Sequence, residues 1–198
     1  MSAQDLKPMS ASRLYMAEIV GEFSLQGQRM QAGAILDLMD ILAGRVAHTH
    51  SNSPVVTLSF DRVDLTHPIL HEDMVRLEGT LAHVGRSSMM VAVEVYRQDQ
   101  ISREFMPIQR SFVTMVAVDA ERRPNRDIPG LAQETDADRA IHKAALRQKA
   151  HAQAWLEMQE EVVRQGPFRT SEVEESFNRE KREWLSPQET IVQVRRQF

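Results

Sequence analysis

Two acids, Asp37 and Asp40, stand in the otherwise largely apolar stretch MQAGAILDLMDILAGRVA, residues 30–47. Three residues apart, they are neighbours wherever that stretch is helical. Carboxylates so placed either cap a loop or pair with an arginine, or else they face a ligand. The segment leading into the stretch, SLQGQRMQAG, sets polar residues beside two glycines, a composition that lets backbone N–H groups approach a bound molecule. Gly85-Arg86-Ser87-Ser88 is, taken alone, an ordinary hairpin loop. The pairs His48/His50 and His67/His71 each lack a third ligand in reach by spacing, and His67 precedes Pro68, so no metal site is expected. Neither a G-x-S-x-G motif nor a phosphate-binding glycine loop occurs, which leaves serine hydrolysis and nucleotide hydrolysis unsupported. Cysteine is absent. That excludes a thiol nucleophile, thiolate metal ligands and disulfides, and it fits a reducing compartment, so the expected address is cytoplasmic.

These residues need a scaffold. Ile35, Leu36, Leu38, Met39, Ile41, Leu42 and Val46 go most of the way round a helix, which predicts a buried central helix from Ala32 or Gly33 to about His48. Ser51-Asn52-Ser53-Pro54 breaks the pattern, because proline cannot continue a helix and restricts its predecessor. Residues 14–23 read as a strand whose register is open. After the helix, Val56, Leu58 and Phe60 alternate with Thr57, Ser59 and Asp61 before the apolar phase slips to Val63 and Leu65, which predicts a bulge. Val75, Leu77 and Leu81, then Met89, Val91, Val93 and Val95, predict a hairpin turning at residues 84–88. A loose polar connection over 98–109 leads to a last strand at 111–118, and residues 122–130, with two prolines, close the unit. The order is strand, long helix, then four strands. It predicts an α+β fold over residues 12–131, a curved antiparallel sheet wrapped around one helix.

With 198 residues, 42% of them hydrophobic, the chain has room for one domain of ordinary size and an appendage. A net charge of -4 and a pI near 6.0 disfavour nucleic acid as a partner. No run approaches the roughly 18 apolar residues of a membrane span, and the first residues lack an apolar signal core. Residues 132–185 read as a helical extension. Its first helix is alanine-rich with acids in the first turn, and Trp155, Met158 and Val162 recur at helical spacing, a stripe expected to dock on the body or on a partner chain. Gly166-Pro167 stops it, and Ser171 with Glu174 forms a capping box for a second helix to about Leu185. The tail, 186–198, alternates like a strand and loosely echoes RLYMAEIVGEF, as the start of a further strand or repeat would.

Taken in order, the first strand, the GAILDLMD helix, the VVTLSFDRVDL strand, the GRSSM hairpin and the FVTMVAVD strand resemble the hotdog fold in its acyl-CoA thioesterase (acyl-CoA hydrolase) branch, over residues 12–130. The resemblance implies hydrolysis of fatty acyl-CoA to free fatty acid and CoA, a step of lipid metabolism that needs no cofactor because CoA is part of the substrate. It also implies homo-oligomers, at least dimers with sites between subunits, often trimers of dimers or tandem repeats. Under it, Asp40 is the helix carboxylate that serves as general base toward water or as nucleophile. Ala32 and Gly33 are the paired small residues whose backbone N–H groups polarise the thioester carbonyl. Thr57 and Ser59 line the pantetheine path. Gly85, Arg86, Ser87 and Ser88 contact CoA, with the Arg86 guanidinium suited to a phosphate. Two positions depart from the pattern: Leu25 stands where an Asn is usual, with Gln26 and Gln28 nearby, and Gln31 replaces a His.

A thioester carbonyl is already activated, so its hydrolysis needs an oxyanion site and a base aimed at water. A helix N-terminus offers unpaired N–H groups and partial positive charge. Asp40 lies about two turns further on, some 10 to 12 Å by the helical rise, too far to act on the same carbonyl. Antiparallel packing of two helices across a dimer brings the amides of one chain to the Asp of the other, so a monomer is expected to be inactive. Met30, Met39, Met89 and Met90 are the expected lining of an acyl tunnel. The alternative is a non-catalytic hotdog subunit that binds acyl-CoA or serves as an assembly module, motivated by Leu25 and the extra helices.

Overall fold

The computed structural model describes residues 6–65, 67–99 and 101–165. Strand β1 (Leu6–Pro8), strand β2 (Leu14–Ile19) and the short pair β3 (Leu25–Gln26) and β4 (Arg29–Met30) precede helix α1 (Ala32–Ser51). Strands β5 (Val55–Phe60), β6 (Met74–Val84), β7 (Ser88–Gln98), β8 (Phe105–Ala117) and β9 (Gly130–Ala132) follow, then helix α2 (Asp136–Gln165). In the order β2-β6-β7-β8-β5 they form one antiparallel sheet curled over α1, the expected hotdog architecture. The polar connection after β7 is shorter than its composition suggests. Phe105 to Gln109 already pair with β7, because the outer face of an antiparallel strand tolerates polar residues. The second expected helix from Ser171 and the strand-like tail lie outside the described residues.

The sheet covers one stripe of α1. Ile35, Met39, Leu42, Ala43, Val46, Ala47 and His50 are buried at helical spacing, whereas Leu36 and Leu38 are only partly covered and Ile41 is 49% exposed. All-round burial is therefore not completed by one chain, because a single five-stranded sheet reaches only one side of the cylinder. Contact with the sheet is closest at Gly79 of β6, where an added Cβ would lie 2.8 Å from Val46 Cγ2 and 3.0 Å from Leu42 Cγ. Both neighbours are buried side chains with little room to give. Gly79→Ala should lower stability by roughly 1–3 kcal/mol in urea unfolding, the ordinary cost of overpacking.

Asn52 ends α1 in the left-handed region at φ 52°, its N–H bonded to His48 O at 2.8 Å. Just before it, His50 joins three parts of the chain. Its Nε2 contacts Pro129 O at 3.0 Å and its Nδ1 contacts Ser12 Oγ at 3.3 Å. A carbonyl can only accept, so Nε2 carries the proton and Nδ1 accepts from the serine. Parallel pairing of β1 with β9 closes the same corner, an association that three-residue strands do not announce in sequence.

Helix α2 begins with a reciprocal cap. Thr135 Oγ1 accepts from Asp138 N at 3.1 Å, and Asp138 Oδ2 accepts from Thr135 N at 3.0 Å. Its Ile141 and Ala145 then pack on Ala82, Met90, Ala92 and Phe112, on the sheet face opposite α1. His142 Nδ1 bonds Ala82 O at 2.8 Å, and Lys149 Nζ lies 3.3 Å from His83 Nε2. The chain divides into two compact units at Ala152, so the first turns of α2 belong with the body. In the second unit Trp155, Leu156 and Met158 are exposed. No helix among the described residues is long and apolar enough to cross a membrane.

Burial, opposed by the bond to Pro129, lowers the pKa of His50, and burial with the nearby Lys149 and His142 charges lowers that of His83 to about 4. Below the ordinary value of 6.5 the unfolded chain takes up protons that these rings refuse in the fold. Stability is thus complete above about pH 6.5 and falls as pH drops toward about 4. The urea midpoint should be lower at acidic than at neutral pH, and His83→Gln should shrink the drop. Equal midpoints at both pH values would contradict the sign.

Candidate active site

The first turn of α1 presents open backbone donors. Ala34 N and Ile35 N bond Gln31 O, but the amides of Ala32 and Gly33 have no partner among the described residues. Gln31 supplies no side-chain cap. Its amide bonds Ser24 O at 2.8 Å and its Nε2 bonds Leu25 O at 3.0 Å, so it holds the β3–β4 segment against the helix start instead. Nothing lies within 4 Å of the place a Cβ would take at Gly33. Two free N–H groups thus stand at the positive end of a 20-residue helix, where partial positive charge favours an anionic oxygen.

Asp40 lies two turns further along, on the flank of α1 that meets β5, in line with Gly33 and Asp37 at helical spacing. Thr57 Oγ1 of β5 donates to Asp40 Oδ1 at 2.6 Å, which fixes the carboxylate and leaves its other oxygen for a water. Asp37, one turn earlier, is exposed. Sequence reasoning named Thr57 without seeing this bond, which joins residues 17 apart across a helix and a strand.

Ser59 parts company with Thr57. The bulge lies between these two residues and not beyond Phe60 as the apolar phase suggests. Thr57 therefore pairs with buried Met115 on the helix side, while Ser59 pairs with Thr114 on the other face. Val56 and Leu58, the apolar members of the alternation, are 49% and 67% exposed. Val56 pairs with Val116 on the outer face and Leu58 falls within the bulge, so the alternation points outward from an edge strand.

The hairpin Gly85-Arg86-Ser87-Ser88 lies far from the free amides. Ser87 O accepts from Ala117 N, and the next residue, Val118, bonds Pro54 O just past the C-terminal end of α1. A helix of 20 residues separates the two ends by about 30 Å. Gly85 N bonds Ser88 O at 2.7 Å and Arg86 is exposed. Leu25 lines a cleft of about 570 Å³ together with Gln28 and His71, so a glutamine shares the cleft of the residue that departs from the family pattern. The four methionines do not line one tunnel: Met39 and Met89 are core residues, Met90 lies under α2, and Met30 borders a recess. His48 and His50 bond carbonyls, and no three His, Asp or Glu side chains gather among the described residues.

The chain is similar to known proteins. A model of the thioesterase superfamily matches residues 29–103. The uncharacterized acyl-CoA thioester hydrolase YkhA of Bacillus subtilis is 30% identical over 158 residues, covering 76% of this chain and 88% of that protein. The acyl-CoA hydrolase of Staphylococcus aureus in complex with butyryl coenzyme A, coenzyme A and coenzyme A disulfide superposes with a TM-score of 0.74 at 26% identity, over 80% of this chain and 97% of that one. An apo hexameric acyl-CoA thioesterase gives a TM-score of 0.72 at 29% identity, over 77% of this chain and 97% of its own.

Proposed function

Because this chain belongs to the acyl-CoA thioester hydrolases of the thioesterase superfamily, we propose that it hydrolyses fatty acyl-CoA to free fatty acid and CoA at sites shared by two copies of the chain. The observation that carries this reading is the presence, on one helix, of free amides at Ala32 and Gly33 and a carboxylate at Asp40 held by Thr57. Within one chain these are about 10 to 12 Å apart along the helix, too far to serve one carbonyl. A second copy resolves the distance.

The surface for that copy is β5. It is an edge strand, paired on one side with β8, and its Val56 and Leu58 are exposed, as is Ile41 on α1. A two-fold axis perpendicular to β5, through its open edge, sets the two strands and the helices beside them antiparallel, so each helix start meets the partner's mid-helix. The same operation carries Gly85 to Ser88 of one copy toward the helix start of the other, where Arg86 meets a CoA phosphate. A trimer of such dimers agrees with the hexameric relative.

The reaction then runs without a metal or cofactor. Asp40 takes a proton from water, the oxygen adds to the thioester carbon, and the Ala32 and Gly33 amides hold the resulting oxyanion. Collapse breaks the C–S bond, and the CoA thiolate leaves and is protonated. Release of CoA thiol from acyl-CoAs of graded length tests this reading. Turnover supports it. Tight acyl-CoA binding without any thiol release would establish the other one, a non-catalytic binding subunit whose Leu25 has replaced the water-positioning amide.

A further inference from the structure

Beside the free amides lies a recess of about 270 Å³ walled by Met30, Ile35, Pro68 and Ile69, with Arg29 and His67 its polar members. Met30 immediately precedes the N-cap residue of α1 and Ile35 closes the first turn, so the recess flanks the oxyanion site. Ile35 and Ile69 are 2% and 5% exposed and belong to the closed core, and Met30 N bonds Ile69 O at 2.8 Å. The floor is therefore rigid. Met30 is the movable wall, half-buried and unbranched, the side chain type that adapts to what lies against it.

A thioester whose oxygen sits on the Ala32 and Gly33 amides has two substituents to place. The pantetheine arm carries amides that lose hydrogen bonds in an apolar space, whereas an alkyl chain gains by leaving water. Pockets for small molecules run from roughly 300 to 1,000 Å³, so this one, at about 270 Å³, falls just below that range. We propose that the recess takes the acyl chain and that Met30 ends it, which makes short and medium acyl groups the substrate class. This rests on the thioesterase reading above.

The test is the kcat/KM profile from acetyl- to palmitoyl-CoA for the native chain, Met30→Ala and Met30→Trp. The native profile should fall beyond medium chains. Met30→Ala should raise the palmitoyl-to-butyryl ratio on the order of ten-fold, the scale of one added methylene accommodated in an apolar pocket, and Met30→Trp should lower it. An unchanged ratio in both variants overturns the proposal. So does a loss shared by every chain length together with weaker binding of free CoA, which assigns the recess to pantetheine. S-alkyl-CoA thioethers of graded length, measured by calorimetry, read the same wall without turnover. If no acyl-CoA is hydrolysed but the thioether profile still shifts between variants, the catalytic reading fails and the recess stands.

Discussion

Asp40→Asn should lower acyl-CoA turnover by about 10²- to 10⁴-fold, the range a general base contributes, while fold and assembly persist. The amide oxygen of Asn can still accept from Thr57 Oγ1, so the 2.6 Å bond that positions the side chain survives. What is lost is the ability to take a proton from water. Thiol release under saturating substrate measures the loss, and thermal unfolding with sedimentation separates it from misfolding. Asp37→Asn is the matched control, because that carboxylate is exposed and lies one turn away. If Asp40→Asn keeps native turnover, the base is elsewhere and the mechanism above is wrong.

Ala32→Pro should cost about 10²- to 10³-fold in turnover without destabilising the helix, the usual effect of removing one oxyanion donor. Proline suits the first helical position, where the N–H has no helical partner to lose. The residue before it must be extended, and Gln31 already has φ -66° and ψ 143°. The two variants together decide whether the site is shared. In a dimer of one Ala32→Pro and one Asp40→Asn chain, one site combines both lesions and the other has neither. An equal mixture reassembled at random should therefore recover about a quarter of native turnover, since half of the dimers are mixed and each has one sound site. Amides and carboxylate acting within one chain predict no recovery at all.

Much of the candidate site was legible in the chain because its parts are local. Helical spacing of Ile35, Met39, Leu42 and Val46 sets α1, and a helix start necessarily has free amides, so Ala32, Gly33 and Asp40 follow from periodicity together with the family pattern. Strict alternation in β6 and β7 likewise determined the hairpin at Gly85.

Other features depend on residues far apart in sequence, and only the tertiary structure decided them. The extra residue in β5 turns Ser59 away from Thr57, because register depends on which partner each strand residue meets in β8. The Thr57–Asp40 bond, the His50 junction with Ser12 and Pro129, and the pairing of β1 with β9 each join elements whose local sequence contains no trace of the other. Coverage of α1 is the plainest case. Its composition showed that most of its faces need cover, but how far one sheet curls is a property of five strands packed together, and here it leaves Ile41 open. Periodicity is carried by neighbours along the chain, whereas burial is decided by whatever the rest of the molecule, or a second copy of it, brings to that face.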